Sequence, residues 1–370
     1  MKKIDVKTQK PYSIFIENHI LQKNILKNTI ELLNKRPVVI MDEKLKSFCT
    51  LNIEAEFIFF PLTENNKTRE TKQQLEDILL SKQYGRDTCL IAVGGGVTLD
   101  IVGFLASTYC RGIPVIYIPT TLLAMVDACI GGKTAVNTSF GKNLIGTFTQ
   151  PHAVFIDPTT LNTLPDDEFY SGLSEIIKHA VIADKSLFEF LEKNEGTIKN
   201  RDSKILCEII YHNCLIKKLI IEQDEIERSL RQLLNFGHTI GHAIEAIENY
   251  RIKHGEAIAI GMLVESYISM KLNLLSENDF IRLEKLLQTY QLPLKTRAFS
   301  NKKAFLNQLE LDKKNKNKIP YFVLLNRIGK PYVLNNQYST QVSINILQEA
   351  IEWANSYSVC GLLDVSCEAP

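Results

Sequence analysis

The pattern of this chain predicts an α/β N-terminal domain with a mostly parallel sheet, joined to a mainly α-helical C-terminal domain. Three observations lead there. Short runs rich in β-branched and aromatic residues alternate with helically spaced apolar residues up to about residue 157. One of these runs ends in Gly94-Gly95-Gly96. From Pro165 to about residue 311 nearly every stretch carries the helical period and strand signals are few. Alternation of strand and helix calls for crossover connections, and so for a parallel sheet covered on both faces. The pattern changes near 157–163, so the domains are expected to span 1–160 and 161–357, with 358–370 an unassigned tail.

The elements follow in order. Tyr12–Ile16 reads as a strand, and 18–33 has helical spacing, with Ile20, Leu21, Ile25, Leu32 and Leu33 apolar. Strands are predicted at 37–41, 57–60, 88–93, 113–118 and 153–156, and a helix over 67–80. In the second half, Pro165 followed by Asp166, Asp167 and Glu168 starts a helix well: proline suits the first turn, and acids suit its positive end. Further helices are predicted over 199–221, from His254 onward, and over 277–290, 302–311 and 344–353. A two-stranded unit is expected from 321–325 and 332–334. The lysine-rich run 312–318 reads as a solvated loop.

Composition narrows the function. With 45% apolar residues, 23% charged residues and a net charge of +1, nothing draws the whole chain toward nucleic acid or a membrane surface. No apolar run approaches the roughly 20 residues that span a bilayer. The start, Met1-Lys-Lys-Ile-Asp-Val-Lys, lacks the apolar core of a secretory signal. Eight cysteines include no Cys-x-x-Cys pair, which suits reduced thiols in the cytoplasm. Cys89 and Cys129 lie in apolar runs as small hydrophobes, and Cys110 beside Arg111 is read as core filler rather than a reactive thiol.

An anionic ligand would therefore be held locally. In parallel sheets ligands bind at the carboxyl ends of strands. Gly94-Gly95-Gly96 lies at such an end, followed by Val97-Thr98-Leu99-Asp100 opening a helix. Such a turn fits a tight bend or a pyrophosphate cradle, because glycine admits close approach and a helix start offers free N–H groups. Thr120-Thr121 follows another strand and suits a helix cap or a cofactor contact. Gly131-Gly132-Lys133-Thr134 looks like the end of a phosphate-binding P-loop, but Asp127 stands where its first glycine should be, which rejects that reading. What remains is a glycine-rich segment presenting Lys133, Lys142 and Asn143, with Arg111 as a fourth anion donor. Three of the seven histidines, His238, His242 and His254, fall within one short stretch. His238 and His242 share a helix face, and His254 could return beside them across an antiparallel pair. Converging imidazoles suggest a divalent metal, Zn²⁺ by default, although on spacing alone a pair of buried hydrogen-bonded histidines is the more ordinary reading. Glu175 and Lys178, at i and i+3, form a surface ion pair on the ordinary reading; turned inward, Glu175 would complete a site of one carboxylate and two imidazoles.

Taken together, Gly94-Gly-Gly-Val-Thr-Leu-Asp100, Arg111-Gly-Ile-Pro, Pro119-Thr-Thr-Leu-Leu-Ala-Met-Val-Asp127, Gly131-Gly-Lys-Thr, Gly141-Lys-Asn, Glu175-Ile-Ile-Lys178, Leu234-Asn-Phe-Gly-His-Thr-Ile-Gly-His242 and His254-Gly-Glu stand in a familiar order. From about residue 37 to 334 the chain resembles the 3-dehydroquinate synthases of the sugar-phosphate cyclase family. The resemblance implies a Rossmann-like NAD-binding domain, then a helical metal- and substrate-binding domain. It implies that Glu175, His238 and His254 are metal ligands for Zn²⁺, with Co²⁺ an alternative. Asp42, Glu64, Lys67, Gly94, Gly95, Gly96, Val97, Asp100, Thr120, Thr121, Lys133, Lys142, Thr163 and Leu164 correspond to NAD-contacting positions. Arg111, Asp127, Lys133, Asn143, Lys178, Lys217, Arg231, Asn235, His242 and Lys313 correspond to substrate contacts, with Lys314 competing with Lys313. Among these, Lys133, Asp127, Lys178, His242, Asn143 and Arg231 carry the catalytic assignments. Arg111 is implied to reach across a homodimer.

The implied activity is a lyase of the shikimate pathway, serving aromatic amino acid biosynthesis in the cytoplasm. It closes 3-deoxy-D-arabino-heptulosonate 7-phosphate to 3-dehydroquinate and releases phosphate. Transient NAD-dependent oxidation, β-elimination, reduction, ring opening and aldol closure make up the sequence. Two related activities share the plan: another sugar-phosphate cyclase, and a metal-dependent polyol or glycerol dehydrogenase. The dehydrogenase has no need for so many phosphate and carboxylate donors.

Overall fold

The computed structural model describes residues 1–310 and 320–360, with side chains through Tyr357. The chain divides into two compact units, Met1–Gly172 with Asn200–Ile226, and Leu173–Lys199 with the residues from Glu227 onward.

The first unit is built on a sheet of seven strands: β1 (Lys2–Val6), β2 (Tyr12–Ile16), β3 (Arg36–Asp42), β4 (Glu56–Phe60), β5 (Thr88–Gly94), β6 (Val115–Pro119) and β9 (Ala153–Ile156). Their order is β1-β2-β9-β6-β5-β3-β4, and every pairing except β1–β2 is parallel. All residues of β5 and β6 are buried, as strands covered on both faces require. Helices α1 (Asn24–Leu33), α2 (Arg69–Ser81) and α3 (Gly96–Thr108) make the crossovers. One core layer joins Leu26 and Ile30 of α1 to Val39, Ile91, Ile116 and Phe155. The hairpin of β7 (Lys133–Thr138) and β8 (Gly141–Phe148) stands apart from the sheet, and α7 (Ser203–Gln223) belongs to the same unit.

The second unit takes the end of α4 (Asp166–Ala183), then α5 (Lys185–Lys193) and α6 (Glu195–Lys199). It resumes with α8 (His238–Ile247), α9 (His254–Lys271), α10 (Glu277–Thr289), α11 (Lys302–Glu310) and α12 (Ile344–Cys360). Four short strands, β10 (Tyr321–Phe322), β11 (Leu325–Arg327), β12 (Lys330–Pro331) and β13 (Thr340–Gln341), pair as β10–β13 and β11–β12.

Several elements depart from expectation. The helix predicted over 18–33 breaks at Lys23, whose backbone is extended, leaving a short turn Ile20–Gln22 before α1. The helix predicted over 199–221 is two helices, because Asp202 caps the start of α7 through Lys204 and Ile205. The predicted pairing of 321–325 with 332–334 is replaced by the two pairings above, with Tyr332 N–H still donating to Leu324 O at 2.8 Å. The tail predicted from 358 begins as helix, since α12 runs to Cys360. Lys313 and Lys314 lie outside the described residues. Strand β1 and the β7–β8 hairpin were not anticipated. Cys49, Cys89, Cys110, Cys129, Cys207 and Cys214 are free thiols; Cys89 and Cys129 are fully buried, whereas Cys110 is half-buried.

Helices α8 and α9 approach closely because glycines face backbone. Gly237 adopts φ 78°, a left-handed conformation, just before α8. A β-carbon on Gly261 would stand 1.9 Å from the Gly237 carbonyl oxygen. Because the obstacle is backbone, Gly261→Ala is expected to force the helices apart and lower stability by roughly 3 kcal/mol, the upper end of ordinary overpacking. Urea unfolding checks this: the midpoint falls while the slope is unchanged.

Candidate active site

In the second unit, α4 carries Glu175 and Lys178 one turn apart, and both are only 1% exposed. They form an ion pair, but a buried one, so the surface reading of this pair is wrong. The start of α8 places His238 and the start of α9 places His254. His238 Nε2 lies 3.6 Å from Glu175 Oε1, and His254 Nε2 lies 3.7 Å from the same oxygen. Ligand atoms of these three residues all lie within 4.8 Å of one another. The other ring nitrogens face outward acceptors: His238 Nδ1 is 3.1 Å from Phe236 O, and His254 Nδ1 is 3.4 Å from Glu245 Oε2. His242 stands one turn along α8, its ring 5.3 Å from His238 and 6.2 Å from His254. Glu265, fully buried on α9, accepts from Gly237 N–H at 2.8 Å and so pins the turn that aims His238.

The donor chemistry fits a divalent cation. Two imidazole nitrogens and a carboxylate oxygen face one point, too far apart for direct hydrogen bonds and suitably spaced to close on an ion. The carboxylate is buried, where an ionised oxygen demands compensating positive charge. His254 shows the same demand. Burial disfavours its imidazolium, yet the neighbouring carboxylates of Glu175 and Glu245 outweigh this and raise its pKa to about 10. A cation between these groups would take over the role of that proton.

In the first unit, Asp42, the glycine turn and Thr120-Thr121 stand at the carboxyl ends of β3, β5 and β6. β4 and β5 flank β3 on opposite sides, so the chain reverses direction between β3 and β5, where such sheets bind ligands. Asp42 ends β3 and Gly94 ends β5 beside it. Gly95 caps α3 without a side-chain acceptor, which leaves first-turn N–H groups for an anion. A β-carbon on Gly94 would overlap Thr98 at 2.2 Å, and one on Gly95 would press on Thr121 at 3.2 Å. Thr120 N–H donates to Gly94 O at 2.9 Å, which ties β6 to the glycine turn. Thr121 Oγ1 accepts from Ala124 N–H at 3.2 Å, the cap reading of this threonine.

The buried Lys67 Nζ pairs with Asp100 and donates to Asn143 Oδ1 at 2.7 Å. Burial raises the Asp100 carboxyl pKa against the pull of Lys67. Glu64 accepts from Asn137 Nδ2 at 2.8 Å and lies 3.7 Å from Lys142 Nζ. Asp42 instead caps its own turn through Lys44 N–H, and Thr163 and Leu164 close the turn after β9. Lys133 is exposed at the start of β7, a strand where a P-loop would have a helix. Asp127 sits in a π-helical turn, Ala124–Ala128, and its carboxylate pairs with Lys217 Nζ at 2.6 Å. Arg111 is exposed with φ 66°. In the second unit, Arg231 is 2% exposed and Asn235 Nδ2 donates to Glu227 Oε1 at 2.9 Å.

Sequence reasoning missed Glu245, Glu265 and the Phe236 carbonyl. Glu245 had a signal: it lies three residues after His242 on an otherwise apolar helix. Glu265 had none beyond being a charge inside the apolar run of α9.

The family described as 3-dehydroquinate synthase N-terminal matches residues 57–171, and 3-dehydroquinate synthase C-terminal matches residues 172–315. The 3-dehydroquinate synthase of Pseudoalteromonas translucida is 41% identical over 350 residues, covering 92% of this chain and 98% of that protein. Among solved structures, a 2-epi-5-epi-valiolone synthase from Streptomyces hygroscopicus with NAD⁺ and Zn²⁺ bound has a TM-score of 0.84 at 26% identity, covering 97% of this chain and 99% of that one. A 2-deoxy-scyllo-inosose synthase complexed with carbaglucose-6-phosphate, NAD⁺ and Co²⁺ has a TM-score of 0.83 at 26% identity, covering 95% and 100%. With two matching family halves and a relative aligned almost end to end, the chain belongs to the 3-dehydroquinate synthase family.

Proposed function

We propose that this enzyme converts 3-deoxy-D-arabino-heptulosonate 7-phosphate to 3-dehydroquinate with release of phosphate, as its family membership implies. The observation that carries the chemistry is the Glu175, His238 and His254 cluster, a carboxylate and two imidazoles directed at one point. Bound there, a divalent ion supplies a Lewis acid for neighbouring hydroxyls, while NAD⁺ supplies a reversible hydride acceptor. The protein's own groups then hold an anion at both ends. Lys133, Asn235, His242, Arg111 and Lys313 take the phosphate. Arg231, with Asn143, takes the carboxylate, since a guanidinium binds it in a bidentate fork. Lys217 is held by Asp127, and Lys178 by Glu175, so both ammonium groups are fixed before substrate arrives. The departing phosphate serves as the base for its own elimination, so the side chains position rather than abstract. Asp42, Glu64, Lys67, Lys142, Thr163 and Leu164, with the glycine turn, Val97, Asp100, Thr120 and Thr121, form the NAD site in this reading. The same reading makes the enzyme a cytoplasmic homodimer, with Arg111 contributed across the interface. No helix among the described residues is long and apolar enough to cross a membrane.

Incubation with the heptulosonate phosphate and a catalytic amount of NAD⁺ is expected to release phosphate without net NADH, and a chelator should stop it. Stoichiometric NADH would favour a dehydrogenase, and no phosphate with metal present would sink the proposal. His254→Ala should lose bound metal and activity while keeping its circular dichroism spectrum; unchanged metal content removes His254 from the ligand set. His242→Ala should retain metal and raise KM about 10- to 100-fold, the value of a hydrogen bond to a charged group. Metal loss in that variant would exchange the roles of the two histidines. Light scattering should give about twice the 42.0 kDa chain mass; a monomer overturns the reach of Arg111.

A further inference from the structure

We propose that Glu245 is the positioning residue of the metal site, holding His254 so that Nε2 faces the ion. This rests on the proposed metal set and extends it to a residue outside that set. The ring of His254 is addressed from both sides, with Glu175 Oε1 at 3.7 Å from Nε2 and Glu245 Oε2 at 3.4 Å from Nδ1. A neutral imidazole has one N–H and one lone pair, and a hydrogen bond at one nitrogen decides which is which. A carboxylate accepts only, so facing Nδ1 it places the proton there and leaves the Nε2 lone pair for a metal.

His238 is built the same way with a different acceptor. Its Nδ1 faces the Phe236 carbonyl at 3.1 Å and its Nε2 faces Glu175 at 3.6 Å. The two ligands would therefore share a tautomer, with a carbonyl facing the outward nitrogen of His238 and a charged group facing that of His254. The difference follows from backbone supply. His238 opens α8 two residues after Phe236, whose carbonyl is at hand. His254 opens α9, and its outward nitrogen is met by a side chain from the last turn of α8. Glu245 is itself 3% exposed, so its charge is neither screened by water nor free to swing away. A metal ligand oriented by a carboxylate is also a more basic donor than one oriented by a carbonyl.

One competing geometry exists. His242, Glu245 and His254 also place ligand atoms within 4.8 Å of one another, so Glu245 could bind an ion directly. The test separates these cases with Co²⁺ as probe, measured by chelator competition and by its visible absorption. E245Q keeps the size of the side chain and removes the charge. It is expected to weaken Co²⁺ binding about 10- to 100-fold, with the ligand-field bands of a nitrogen- and oxygen-coordinated ion retained. Unchanged affinity in E245Q overturns the inference. Complete loss of Co²⁺ from a folded E245Q overturns it too, since Glu245 would then be a ligand. A wild-type protein that binds no Co²⁺ overturns the metal site beneath it, which a failure of E245Q alone does not.

Discussion

Glu175 is almost fully buried and sits on a helix whose neighbouring turns are apolar, with Ile176, Ile177 and Ala180 all at 0% exposure. An ionised carboxylate in such surroundings is tolerated only with charge and donors close by. Much of the second unit can be understood as that compensation. Lys178 pairs with it one turn along α4, and α8 and α9 each begin with a histidine turned toward it. Helix starts carry a positive end of the dipole, so placing His238 and His254 there presents positive potential as well as ring nitrogens. The arrangement also explains why a charge is kept where a surface pair would have been simpler. A buried carboxylate with one ammonium partner and two imidazoles directed at it has the donor chemistry to hold a cation.

Bringing two helix starts to one carboxylate sets a tight condition on α8 and α9. They must approach until backbone nearly touches backbone, which Gly237 and Gly261 permit and no side chain would. The turn before α8 is then held by Glu265 from within α9, with the Gly237 N–H as its anchor. Helix packing and ligand aim are therefore one constraint. A change at Gly261 that touches no ligand acts on the same geometry that sets the His238 ring.

How much of this could be read from the chain depends on the range of the interaction. Strand β5, its glycine turn and α3 were legible because they are local: a buried run, then residues without β-carbons, then helical spacing. The pairing of His238 with His254 was legible as proximity in sequence. The burial of Glu175 and Lys178 was not, since their i,i+3 spacing is the same on a surface helix. The return of α7 to the first unit leaves no mark on its own periodicity. The break at Lys23 and the hairpin of β7 and β8 are decided by tertiary context that overrides local preference. Lys133 shows the limit in detail. The sequence excluded a P-loop by a missing glycine, but only the structure shows that a strand follows in its place.

Glu245 was hidden for a different reason. Its place three residues after His242 sets it on the histidine face, but nothing in that spacing distinguishes a residue that binds an ion from one that orients a ligand. The distinction lies in which nitrogen it faces. Because Nδ1 and Nε2 sit on opposite sides of the ring, a carboxylate beside one is excluded from the coordination of the other at the same position. At His238 the chain turns sharply just before the helix and supplies a carbonyl to the outward nitrogen. His254 follows Lys253 in an extended conformation, and the acceptor facing its outward nitrogen comes from α8. The two imidazoles meet their outward acceptors by two routes, a backbone carbonyl for His238 and a carboxylate from α8 for His254.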